Sequence, residues 1–118
     1  MKNLDLVGKY LFALPFGIFG IMHLLAGDAM AGMVPAFIPG GVLWIYLTGL
    51  ALIAACAAML LGKQAKLAAT LLGVLMLVFV ATVHLPGVIG GDQMAMPGVL
   101  KDLALAGAAW LYASKTDA

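Results

Sequence analysis

The chain has no arginine, no glutamate and a single serine, Ser114. Charged residues fill 9% of its 118 positions, where a soluble domain carries about 25%. So few charges cannot cover a water-facing surface. There is no serine nucleophile with partners, no glycine-rich phosphate loop and no His-Glu-x-x-His pattern, so hydrolase, kinase and zinc-protease chemistries have no residues to stand on. A formal net charge of +1 gives no basic patch, and no nucleic-acid partner is expected. The one cysteine, Cys56, has no partner for an internal disulfide and no Cys-x-x-Cys neighbour, which excludes a self-contained dithiol enzyme. It lies in an alanine-rich run, where a thiol packs as a small apolar group because burial disfavours the reactive thiolate.

What is present is apolar: 65% of residues are hydrophobic and the mean hydropathy is +1.16. A helix needs about 20 apolar residues to cross a bilayer core, and the stretches 6–26, 42–61, 67–85 and 98–113 answer that description. Helices are required because lipid offers no partners for backbone N–H and C=O groups. The fold class expected is therefore all-α: a single membrane domain over residues 1–118, an integral membrane four-helix bundle. The apolar run near the N-terminus is longer than the roughly 7–15 residues of a signal-peptide core, so it is read as the first span. Lys2, Lys9, Lys63, Lys66 and Lys115 fall on one side of these spans and Lys101 on the other. The lysine-rich side is thus expected to be cytoplasmic, with both termini inside.

Pro15 predicts a kink in the first span. Small residues recur along the spans, among them Ala13, Gly17 and Gly20, then Gly49, then Gly73, then Ala104, Gly107 and Ala108. They suit close helix packing and self-association into a homo-oligomer. The short basic connector 62–66 predicts a hairpin. The connectors 27–41 and 86–97 are apolar and rich in Met and Pro, and they are expected to cap the outer end of the bundle as a lid. Asp28 is expected to cap a short interfacial helix that Pro35 and Pro39 then stop.

The two histidines, His23 and His84, each close a span and are followed by a methionine-containing connector. A shift of 61 residues superposes His84 on His23 and Met94 on Met33, a pattern that internal duplication would produce. Ionisable groups within membrane spans are costly and are functional candidates by default. Counted back from the span ends, the two differ in depth by only about 3 Å at 1.5 Å per residue, so they are expected to share one ligand site at the outer face. Imidazole can hydrogen-bond a quinone, shuttle protons, or ligate haem or copper; methionine sulfur nearby suits copper(I), though Met is also ordinary packing filler. The plainer alternative is that each ring bonds a neighbouring carbonyl and serves packing. Lys101 either snorkels to the headgroups or turns inward to pair with Asp28 or a ligand oxygen. Asp102 is read as a first-turn residue that complements the helix dipole.

The segments Val34-Pro35-Ala36-Phe37-Ile38-Pro39, Leu47-Thr48-Gly49-Leu50 and Leu100-Lys101-Asp102-Leu103-Ala104-Leu105-Ala106-Gly107, in that order across four short spans, resemble the DoxX family of bacterial membrane proteins. The likeness runs from about Tyr10 to Tyr112. It implies a four-helix bundle in the bacterial inner (plasma) membrane and a redox association, because relatives include subunits of a thiosulfate:quinone oxidoreductase and partners in oxidative-stress complexes. The resulting expectation is a redox-associated or quinone-binding membrane subunit, with a partner redox subunit, using His23, His84, Lys101 and Asp28. The alternatives are a non-enzymatic accessory or scaffold subunit, and a haem- or copper-binding protein using the two histidines.

Overall fold

The computed structural model describes residues 2–34 and 38–116. Pro35, expected to stop the short helix, lies outside them with Ala36 and Phe37. In chain order the elements are α1 (Lys2–Leu25), α2 (Gly27–Met30), a 3-10 turn (Ala31–Met33), α3 (Val42–Leu61), α4 (Ala65–Phe79), a π-helical turn (Val80–His84), α5 (Leu85–Ile89) and α6 (Ala95–Lys115). The described residues are all helix and connector, with no strand among them. Three helical stretches, Asn3–Leu25, Val42–Leu61 and Ala65–Ile89, are long and apolar enough to cross a membrane. At 1.5 Å per residue the 20 residues of α3 span about 30 Å, the thickness of a hydrocarbon core. The 21-residue α6 matches in length but is less apolar, carrying Lys101, Asp102 and Lys115.

Several boundaries differ from the sequence expectation. The third stretch does not stop before Pro86; it passes through the π turn and continues as α5 to Ile89. α6 starts at Ala95 rather than 98, because Pro97 falls in its first turn, where an absent N–H costs no internal bond. α1 remains one helix through Pro15. α2 is present, but no side-chain bond caps it, and Asp28 is exposed. α3 ends as Gly62 turns left-handed (φ 70°) and returns its N–H to the Ala58 carbonyl.

The helices pack as two pairs, α1 along α3 and α4 along α6, with α3 meeting α4. The α1–α3 crossing is close because it is built on glycine: a Cβ on Gly49 would lie 2.8 Å from the Gly20 carbonyl oxygen. A shared core draws Phe16, Leu52, Met59, Leu72, Met76 and Ala106 from all four long helices. Near the lysine-bearing end the pairs are tied together. Phe12 stacks on Tyr112 with centroids 6.0 Å apart, and the Tyr112 hydroxyl donates to the Met59 carbonyl at 3.2 Å. Between the pairs lies a cavity, lined on α1 from Leu11 to His23.

The buried face of α6 is not the small-residue face expected. Ala104 and Gly107 are exposed, and the buried positions are Ala95, Val99, Asp102, Ala106, Ala109 and Ala113. Those positions alternate steps of four and three, the stripe of a helix packed along one side. Asp102 stands in phase with that stripe, so the packing of α6 itself carries its carboxylate inward.

Candidate functional site

The cavity between the helix pairs has a volume of about 800 Å³. Its walls are mostly apolar, with Phe16 on α1, Trp44 on α3, and Met76 and Phe79 on α4. Polar groups concentrate at one end: His23 from α1, Thr48 from α3, Thr82 and His84 from the π turn, and Lys101 with Asp102 from α6. Both histidines, on different helix pairs, therefore line one cavity. Met30, Val34 and Ile38 add the first connector to its lining, as a lid would. The second connector does not cover it: Ile89 and Met94 are 86% and 77% exposed and lie outside the lining. Of the two connectors expected to form the lid, only the first contributes residues to the lining.

His84 and Asp102 form the centre of the polar end. His84 Nε2 lies 2.8 Å from Asp102 Oδ2, and the carboxylate is only 4% exposed. Lys101 Nζ approaches the other oxygen, Oδ1, at 3.7 Å while its own side chain stays 62% exposed. Lys101 therefore approaches Asp102 rather than Asp28, which lies outside the cavity lining. A buried carboxylate in apolar surroundings is stranded unless paired and hydrogen-bonded, and here both oxygens face a nitrogen. The opposite edge of the His84 ring rests on α6 at Gly98, where an added Cβ would lie 2.6 Å from Nδ1. α6 thus grips the imidazole from two positions one helical turn apart.

His23 is held differently. It lies in the buried stripe of α1 with Ala13, Phe16 and Gly20, and its Cβ packs against Gly49 of α3. Nδ1 is 2.7 Å from the Phe19 carbonyl oxygen. A carbonyl can only accept, so this contact needs the hydrogen on Nδ1; in the neutral form of the ring Nε2 is then an acceptor. Phe19 meets the ring edge-on at 4.5 Å.

Of the four residues singled out from sequence, His23, His84 and Lys101 line the cavity and Asp28 does not. The residue missed was Asp102. Its signal was available, as an acid inside an apolar helix, but setting the helix start three residues late made it look like a dipole partner. Among the described residues no three His, Cys, Asp or Glu side chains gather as a metal-ligand group. Cys56 is buried against Gly17, whose added Cβ would lie 2.7 Å from its Sγ.

No curated protein and no solved structure matches the chain. Residues 12–113 match the family described as a domain of unknown function, DUF8561, and the chain belongs to that family.

Proposed function

We propose that the chain is a four-span bacterial inner-membrane protein, with both ends of this sequence in the cytoplasm, that binds a quinone or similar flat lipophilic ligand in the cavity between its helix pairs. The observation that carries this reading is a His84–Asp102 pair, its carboxylate buried, in the wall of an apolar cavity of about 800 Å³. Small-molecule sites span roughly 300–1,000 Å³ and combine apolar walls with a few polar groups. Lys101 supplies donors for a carbonyl oxygen. His23 Nε2 and the Asp102 carboxylate supply acceptors for the hydroxyls of a reduced ring. The resemblance to DoxX proteins supports a redox setting, with electrons exchanged through a partner subunit.

The test is a titration of decylubiquinone into the protein in nanodiscs, read as quenching of Trp44, which lines the cavity. Saturable quenching is expected, absent in Trp44→Phe. His23→Ala and His84→Ala, each measured on its folded fraction, should weaken it by about tenfold, the equivalent of 1.4 kcal/mol. Non-saturable quenching, or identical titrations for all variants, would remove the ligand-binding reading and favour an accessory role.

A further inference from the structure

We infer that Pro86, with Thr82, is a positioning residue: together they hold the π turn that aims His84 at Asp102. This inference rests on the reading of the His84–Asp102 pair as the polar centre of the ligand site.

Along a regular α-helix the N–H of residue 86 would bond to the carbonyl of Thr82. Proline has no N–H, and its ring collides with the carbonyl four residues back. A helix that continues past Pro86 must open around Thr82. The chain opens there. The Leu85 N–H bonds to the Val80 carbonyl, five residues back, and residues Val80–His84 form a single wide turn. Regular α-helix then resumes, with the Gly90 N–H on the Pro86 carbonyl at 2.9 Å. Thr82 adds to the opening, because its hydroxyl donates to the Val78 carbonyl at 2.8 Å. Such back-bonding by a helical threonine bends the helix.

The wide turn decides where His84 points. Inserting one residue of register turns everything after it by about 100° around the axis, since 3.6 residues make a full turn. His84 is the last residue of the wide turn, so most of that rotation has accumulated there. In an unbroken α-helix the ring would leave the α6 side, and with it Asp102 and the bare backbone of Gly98. Single π turns inside α-helices recur at functional sites, and here the local cause is a proline two residues beyond the histidine.

The chain's two histidines make the test direct. Protein labelled with ¹⁵N-histidine gives two sets of ring signals, assigned with His23→Gln. Asp102→Asn should shift the His84 signals and leave those of His23 in place. Pro86→Ala restores the missing donor and permits α register, so it should move the His84 signals in the same sense as Asp102→Asn, again sparing His23. It should also lower decylubiquinone affinity about as much as His84→Ala. Thr82→Val, which leaves Pro86 in place, should give a smaller shift of the same sense and serves if Pro86→Ala fails to fold. Unmoved His84 signals in Pro86→Ala, or in a folded Thr82→Val standing in for it, would overturn the inference while leaving the pair intact. Unmoved signals in Asp102→Asn would overturn the pair itself, and with it the site on which the proposed function depends.

Discussion

Gly98 and Gly107 offer a matched pair of perturbations on one helix. Both lie inside α6. An alanine methyl at 107 meets nothing within 4 Å, whereas one at 98 would sit 2.6 Å from His84 Nδ1 and 2.7 Å from Cε1. Glycine to alanine in a helix interior is worth about 0.5–1 kcal/mol of stabilisation in the absence of contacts, and Gly107→Ala should show that gain. Gly98→Ala can keep it only if the ring stays. The ring is pinned on its far side by Asp102 at 2.8 Å, so relief of the clash means leaving the carboxylate. Losing a hydrogen bond to a charged group costs roughly 1.5–3 kcal/mol, and an unsatisfied buried acceptor adds to the loss. Against the intrinsic gain, the net expected is a destabilisation of about 0.5–2.5 kcal/mol before the unsatisfied acceptor is counted, the hydrogen-bond loss less the helix gain. Reversible unfolding in SDS, followed by circular dichroism, measures both variants against the parent. Equal stability of Gly98→Ala and Gly107→Ala, with unchanged His84 ring signals, would refute the reasoning that α6 grips the imidazole.

Further outcomes follow from the same geometry. Gly49→Leu should disrupt the α1–α3 crossing, since even a Cβ there would meet His23 Cβ at 2.7 Å; the readout is loss of monodisperse protein in detergent, and a well-behaved variant would contradict the close crossing. Cys56 should resist maleimide in the folded protein and react after unfolding, being 8% exposed; fast labelling in the native state would contradict its burial. Thiols introduced at the exposed positions Asp92 and Gln64 should be labelled by an impermeant reagent at 92 only, from outside intact cells. Labelling at 64 would reverse the proposed topology. Trp110→Phe removes the indole donor that reaches the Thr70 carbonyl at 3.1 Å and should lower stability by about 0.5–1.5 kcal/mol, an ordinary hydrogen bond, as read by SDS unfolding.

Much of the helical layout was legible because its punctuation is local. α3 runs between Gly41 and Gly62, and its limits match the apolar run 42–61. Proline misled in two places for opposite reasons. Pro97 sits in a first turn, where it is harmless, and so α6 began earlier than expected. Pro86 looked like a stop, but a π turn let the helix pass it, and nothing in apolar periodicity announces a π turn. The histidines were legible as rare polar groups in apolar runs. Asp102 was misread because its direction depends on the phase of α6, and an error of three residues at the start was enough to move it from the core stripe to the first turn. Asp28 was chosen as a possible partner for an inward-turned Lys101, yet it is an exposed acid on a four-residue turn, and Lys101 approaches Asp102 instead.

The side of the cavity has a consequence for what affinity means here. Leu11, in the middle of α1, and Val78, near the end of α4, both line the cavity while being 71% and 45% exposed, so the space opens sideways, between helices, and not only at their ends. In a membrane, the medium at that doorway is acyl chain. A ligand of the kind proposed, entering there, would leave hydrocarbon for hydrocarbon and displace lipid tails about as apolar as the walls. Bulk hydrophobicity then drives partitioning into the bilayer and contributes little to occupancy once there. Expressed as a mole fraction of lipid, occupancy should be nearly indifferent to tail length and sensitive to the head. For the proposed ligand class, discrimination would then fall to the few polar atoms at the histidine end.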